Sequence, residues 1–119
     1  MREIKFRAWD ITGSYMLDWD GVKQIPLEDI LTNQYGFTLM QYTGLKDKNG
    51  TDIYEGDIVK GIWHGKTIDK DIYGVVDFSE GMFGLENTID GEAYTINRLF
   101  VTVIGNIYEH PHLIQKQKA

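Results

Sequence analysis

The chain has 119 residues, of which 42% are hydrophobic and 13% aromatic, enough for one domain that buries its own core. It has no cysteine, which excludes disulfides, thiolate nucleophiles and cysteine metal sites, and no apolar stretch long enough to span a bilayer. The net charge is −6, with seven basic against ten acidic residues in 1–60 and five against eight in 61–119, and this even acidity argues against strong non-specific binding of nucleic acid.

The first ten residues, MREIKFRAWD, alternate charged and apolar side chains and predict a β-strand. Successive strand residues face opposite sides, so Ile4, Phe6 and Ala8 should share one face, with Lys5 and Arg7 on an opposite, solvated face. The segment contains no hydrophobic signal region. We therefore expect a cytoplasmic protein that begins directly with its first strand.

Two further elements are predicted before residue 32. Turn residues at 10–14 followed by Tyr15-Met16-Leu17 indicate a short partner strand in a hairpin. Pro26 suits the first position of a helix, and acidic Glu28 and Asp29 would follow in its first turn. The pattern predicts one short helix over 26–31.

The rest of the chain is punctuated by glycines and favours strands. Segments rich in strand-forming residues cover 37–43, 57–63, 72–78, 82–85 and 100–108. Short strands at such spacing, with turn signals between them, predict a small β-barrel or sandwich. Near the C-terminus, Pro111 can open a brief helix.

The most turn-rich stretch is Asp47-Lys48-Asn49-Gly50-Thr51-Asp52. A calcium loop needs Gly at position 6 and a bidentate carboxylate at position 12, but counting from Asp47 places Asp52 and Ile58 there. Asn-Gly is a strong hairpin signal, since both residues tolerate the positive φ of a type I′ turn. We therefore interpret Asn49 and Gly50 as a structural turn, with a metal loop as the alternative.

The next segment, Tyr54-Glu55-Gly56-Asp57, has two interpretations. In the structural one, Gly56 supplies the bend and Asp57 accepts hydrogen bonds from turn amides. In the functional one, Glu55 and Asp57 form an acid–base pair, but the sequence supplies neither a nucleophile nor a pKa-shifting partner. We therefore predict no enzyme activity, and name Tyr54, Glu55 and Asp57 as the residues that would contact a partner.

Other candidate sites have weaker signals. His110 and His112, joined by Glu109, could hold a metal, but two surface histidines near a C-terminus are the simpler interpretation. No nucleotide-binding or G-x-S-x-G motif occurs, so we expect no cofactor and no serine nucleophile. The abundant Tyr and Trp favour either a partner groove or self-association.

The segments REIKFRAWD, MQYTGLKDKNGTDIYEGDIVKG and VIGNIYEHPHLI resemble, in this order, the YopX family of bacteriophage and prophage proteins. The resemblance spans both ends and the middle of the chain. It implies a phage-encoded protein in the bacterial host cytoplasm, with an N-terminal α+β portion leading into an SH3-like barrel. It implies no activity, because the family has no established biochemical role.

Together these observations predict a mainly β (α+β) protein, with a small hairpin-plus-helix lobe over 1–53 followed by an SH3-like β-barrel over 54–119 in one compact unit. The function predicted is a non-catalytic protein-interaction module that self-associates and binds an unknown host or phage protein. The alternative is nucleic-acid binding through a local basic or aromatic groove, for which binding would fall steeply with added salt.

Overall fold

The computed structural model describes residues 3–32, 36–64, 69–79, 81–87, 93–94, 96 and 101–118. In this part of the chain the protein is mainly β, with curled antiparallel strands that form a half-barrel and few helices. In chain order the elements are β1 (Phe6–Asp10), β2 (Tyr15–Leu17), α1 (Trp19–Val22), α2 (Leu27–Thr32), β3 (Phe37–Lys46), β4 (Asp52–Tyr54), β5 (Asp57–His64), β6 (Asp69–Ser79), β7 (Met82–Asn87), β8 (Ala93–Tyr94), β9 (Thr102–Asn106) and α3 (Pro111–Lys118).

The strands are arranged in two sheets. One has the order β2-β1-β3-β4 and the other β8-β7-β6-β5-β9, and the neighbouring strands are antiparallel. Strand β3 is ten residues long, so β1 pairs with its first half, where Ala8 lies opposite Leu39, and β4 pairs with its second half, where Tyr42 lies opposite Tyr54. The chain enters the second sheet directly after β4, through the turn at 55–56.

The main core lies against the second sheet and follows the period-two pattern of its strands. Its members are aliphatic and at most 5% exposed: Ile53, Val59, Ile72, Val76, Leu85, Ile96 and Val101. Burial of each large aliphatic side chain stabilises the folded state by about 1.5–3 kcal/mol. Because Ile53 belongs to β4, the first sheet supplies part of the second sheet's core.

Helix α1 covers the other end of the first sheet. Phe6 packs on Trp19 with ring centroids 5.9 Å apart, and the Asp18 side chain caps the helix by accepting from the Gly21 amide. The sequence did not predict α1, since four residues are too few for a helical period. The predicted helix over 26–31 is confirmed as α2, Leu27–Thr32.

Most predicted strands are confirmed, and Tyr15–Leu17 has the predicted bounds. Strands β4 and β8, of three and two residues, were not predicted. The predicted C-terminal helix is confirmed as α3. In the part of the chain that the structure describes, no helix has the length and apolarity needed to cross a membrane.

One prediction for β1 is wrong. Lys5 and Arg7 were expected on a solvated face, but their side chains are only 16% and 13% exposed. Both lie against tyrosine rings: Lys5 Nζ is 4.7 Å from the Tyr42 ring centre, and Arg7 Cζ is 4.8 Å from that of Tyr54. The alternation of β1 was predicted correctly, but the sequence did not show that β4 and the turn after it cover the charged face.

Candidate functional site

The turn between β4 and β5 brings Tyr54, Glu55 and Asp57 together around Arg7. Arg7 donates to Asp57 Oδ1 at 2.8 Å and to the carbonyl oxygen of Glu55 at 3.1 Å. Asp57 Oδ2 accepts from the Tyr54 amide at 2.8 Å, and Asp57 as a whole is 1% exposed. An arginine of β1 is thereby tied to the first residue of β5.

The electrostatics of this cluster are those of an ion pair in which Asp57 is buried and Arg7 is partly buried. Burial raises the pKa of the Asp57 carboxyl, although Arg7 and the Tyr54 amide act to lower it. Glu55 Oε1 accepts from the Gln41 amide at 2.7 Å. Both carboxylates of the acid–base pair considered as the alternative therefore contact Arg7 or backbone amides. The assignment of Tyr54, Glu55 and Asp57 to partner binding stays a prediction.

Gly56 makes this turn fit between neighbouring strands. Its φ is +83°, its amide donates to the Val76 carbonyl at 2.8 Å, and its carbonyl accepts from the Ile107 amide at 2.9 Å. A Cβ at this position would lie 3.0 Å from Met40 Sδ. Both the left-handed backbone and the close approach of Met40 favour glycine here.

The Asn49-Gly50 turn joins β3 to β4, as a hairpin, but its type differs from the prediction. Gly50 has a φ of +84°, whereas Asn49 does not have a positive φ, so the turn is not type I′. The Gly50 amide donates to the Asp47 carbonyl at 3.0 Å, and the Asp47 amide donates to the Thr51 carbonyl at 2.8 Å. This is a three-residue loop that ends in a left-handed glycine.

Asp47 is a structural residue that the sequence interpretation considered only as a metal ligand. Its Oδ1 accepts from the amides of Asn49 at 2.8 Å and Thr51 at 2.9 Å, and its Oδ2 accepts from the Val103 amide at 2.9 Å. Burial acts to raise the pKa of this carboxyl, but hydrogen bonds from Val103, Thr51 and Asn49 hold it below its usual value. The carboxylate thus attaches the hairpin to β9.

The C-terminal histidines have no metal geometry in the described part of the chain, where no three acidic or histidine side chains are grouped to hold an ion. His110 Nδ1 accepts from the Asn106 amide at 3.1 Å. Glu109 Oε1 accepts from Asn106 Nδ2 at 2.8 Å. These side chains fix the loop that connects β9 to α3.

An open groove of about 690 Å³ lies between the end of β1, the α1–α2 connection and the start of β3. The residues that line it are Asp10, Ile11, Thr12, Gln24, Ile25, Pro26, Asp29, Gly36 and Phe37. Sequence reasoning did not identify this groove, because its walls come from three segments that are distant in the chain. We call it the N-terminal groove.

The N-terminal groove carries negative charge. Asp10 Oδ1 accepts from the amides of Thr12 at 2.9 Å and Gly13 at 3.1 Å, and a hydrogen bond from Tyr15 to Asp10 raises the pKa of that tyrosine. Asp29 is half-buried. No lysine or arginine is among the lining residues, and neither aspartate forms an ion pair with any residue described.

Comparison with known proteins extends these observations. The sequence profile of the family described as YopX protein matches residues 5–115. The chain is similar to the protein in a structure described as "Crystal structure of protein EF1440 from Enterococcus faecalis", with 27% identity, a TM-score of 0.65, and coverage of 96% of this chain and 99% of that one. No curated relative matches.

Proposed function

This chain belongs to the YopX family, and from that membership we propose that it is a phage-encoded, non-catalytic module that binds other proteins. The observation that carries the proposal is the N-terminal groove, an open concavity lined by apolar and acidic residues between β1, the α1–α2 connection and β3. Grooves of this kind recognise peptide segments in many small domains. The host cytoplasm is the proposed site of action.

The non-catalytic part of the proposal is supported by the surroundings of the candidate acid–base pair. Asp57 is buried with Arg7, and Glu55 accepts from the Gln41 amide. A general base needs access to the proton that it removes. Here Asp57 is 1% exposed, which suits it to joining strands and leaves it little contact with substrate.

We also propose how this chain is divided into structural units. Residues 1–53 would form the hairpin-plus-helix lobe and 54–119 an SH3-like barrel, within one compact unit. The change from one sheet to the other between β4 and β5 supports this division. The contribution of Ile53 to the core of the second sheet supports the single unit.

Self-association is the second part of the proposed function. Leu27 and Leu31 lie one turn apart on α2 and are 68% and 74% exposed. Asp29 lies between them in sequence and lines the N-terminal groove, so the leucines face away from that groove. Two leucines on a six-residue helix bury little area, and we expect a weak, concentration-dependent dimer of this chain.

Sedimentation velocity over a range of concentrations tests self-association. We expect the wild-type sedimentation coefficient to rise with concentration and the Leu31→Ser variant to stay monomeric. Met82→Ser is the matched control, because Met82 is 53% exposed at the start of β7. A wild-type monomer at every concentration, or equal effects of the two variants, would contradict the α2 dimer.

The class of partner is tested with the tagged protein purified from prophage-induced host cells, with and without nuclease. We expect a host or phage protein to co-purify after nuclease treatment. Loss of the co-purifying material on nuclease treatment, together with binding that falls steeply as salt is added, would support the nucleic-acid alternative.

A further inference from the structure

We propose that the N-terminal groove binds a cationic peptide segment of another protein, with one bulky apolar side chain inserted beside Ile11 and a lysine or arginine against Asp29. The inference rests on the proposed function, since it names the chemistry of the partner that the module would recognise. It is carried by the shape, the lining and the charge of the groove.

The lining provides a place for an apolar side chain. Ile11 is 60% exposed although it is a large aliphatic residue, and it lies beside Ile25, Pro26 and Phe37 in the groove wall. The groove is open, and its volume of about 690 Å³ lies in the range of ligand-binding clefts, roughly 300–1,000 Å³. One or two large side chains fit such a space and would cover Ile11.

The negative charge of the groove favours a segment with basic side chains. Asp10 and Asp29 both face the groove, and no cation from the described residues neutralises either of them. Asp10 is 9% exposed and already accepts two backbone amides, so Asp29 is the more accessible carboxylate. A basic side chain placed over the groove is attracted by both negative charges. This attraction becomes stronger when the apolar contact excludes water, because the local dielectric constant falls.

A second copy of this chain is a poorer occupant than a basic segment. Each copy carries a net charge of −6, so docking another copy against an acidic groove works against repulsion. The α2 face that we propose for self-association points away from the groove. The groove would therefore stay accessible in a dimer.

Titration of ¹⁵N-labelled full-length protein with two synthetic nonapeptides tests this inference by NMR. Both peptides carry three leucines in the same positions; one has lysine and the other glutamate at the remaining positions. We expect only the lysine peptide to shift amide signals, with the shifts concentrated at Ile11, Gln24, Ile25 and Phe37. Binding of both peptides, or shifts spread over the second sheet, would overturn the proposal.

Variants with matched charge separate groove binding from general attraction to an acidic protein. Asp29→Asn and Glu86→Gln each remove one negative charge, and Glu86 is exposed on β7, in the second sheet. We expect Asp29→Asn to weaken binding of the lysine peptide about three- to fivefold, as for an exposed ion pair, and Glu86→Gln to weaken it less than twofold. Equal weakening by the two variants would overturn the groove assignment.

Ile11→Ser tests the apolar contact. The side chain is largely exposed, so the substitution should leave the fold intact, as circular dichroism would check, and weaken the lysine peptide at least fivefold. Unchanged affinity in a folded variant would overturn the proposal. If wild type still dimerises but neither peptide binds, the cationic-segment assignment falls while self-association through α2 stands.

Discussion

At the scale of single residues, glycine and aspartate side chains determine how this chain turns. Gly50 and Gly56 both have left-handed backbones, but their surroundings differ. A Cβ at Gly50 would have no neighbour within 4 Å, whereas a Cβ at Gly56 would meet Met40. Asp47 and Asp57 each accept amides of their own turn and also bind a distant strand. Through these aspartates the turns also connect the two sheets.

Gly50→Val should destabilise the protein through backbone strain alone. Valine at a φ of +84° costs about 1–2 kcal/mol, and no steric clash adds to this. Gly50→Asn is the control, since asparagine tolerates the left-handed region better. Urea unfolding of both variants measures the difference, and equal midpoints for the wild type and Gly50→Val would contradict the explanation.

Asp47 should make the protein acid-sensitive. Its pKa is lower in the folded state than in the unfolded state, so its stabilising contribution is present above the unfolded value of 3.8 and is lost as pH falls through the lower folded value. The pKa of Asp57 is raised in the folded state, so its protonation favours folding as pH falls. Asp57 therefore does not account for this loss of stability. We expect the free energy of unfolding to fall as pH decreases below about 4.

Asp47→Asn tests this assignment. The asparagine Oδ1 can keep the bonds from Asn49 and Thr51, but its Nδ2 would face the Val103 amide, which donates as well. The variant should lose about 1–3 kcal/mol at pH 7, as for an unsatisfied buried donor. Its loss of stability between pH 5 and 2, followed by urea unfolding, should be smaller than that of the wild type. A parallel pH profile would show that other groups dominate.

At the scale of elements, the side-chain contact between β1 and β5 through Arg7 and Asp57 depends on charge. Removing one partner of a buried ion pair leaves the other without compensation, typically at about 3–5 kcal/mol. We expect Arg7→Met to destabilise by this order, because it leaves the buried Asp57 carboxylate uncompensated. Asp57→Asn should destabilise less, because burial raises the pKa of Asp57 and its charge is therefore costly in the folded state. The double variant should cost clearly less than the two single costs together, because it removes both charges.

The measurement is a double-mutant cycle from denaturant unfolding at neutral pH. Lys60 and Asp71 provide the matched control, since they form an exposed pair at 3.7 Å between β5 and β6. Substituting them should change stability by less than about 1 kcal/mol. Additive costs at Arg7 and Asp57 would show that the two side chains are not energetically coupled.

Sequence patterns predicted elements well where several residues repeat a period. Strands β3, β5 and β6 were located because each extends over at least eight residues, and α2 was located from Pro26 and the acids that follow it. The short elements α1, β4 and β8 were missed. Their conformation depends on packing and on caps such as Asp18, because too few residues are present for a repeat.

At the scale of the whole molecule, the two sheets depend on each other. Ile53 of β4 is fully buried in the core of the second sheet, Asp57 of β5 needs Arg7 of β1, and the Val103 amide needs Asp47. Trp9 also stacks on Tyr108 with ring centroids 5.7 Å apart. These contacts join the beginning, middle and end of the chain.

A fragment of residues 54–119 should therefore fail to fold alone. It lacks the Ile53 side chain and leaves Asp57 and the Val103 amide without their partners, and these losses together are comparable with the usual 5–15 kcal/mol stability of a domain. Circular dichroism and amide NMR dispersion would measure this, with the full-length chain as the control. A well-dispersed spectrum of the fragment would show that the second sheet is an independent domain.

The sequence by itself determined the β-rich class, most long strands, the glycine turns and the family, because these depend on local periods and on contiguous motifs. Only the tertiary structure decided that Arg7 is largely covered, that Asp47 binds Val103 and that Asp10, Ile11 and Asp29 line one groove. Those relations join residues tens of positions apart in the chain. Alternation assigns a side chain to a face of its strand, but whether that face meets water or another strand depends on how the sheets pack.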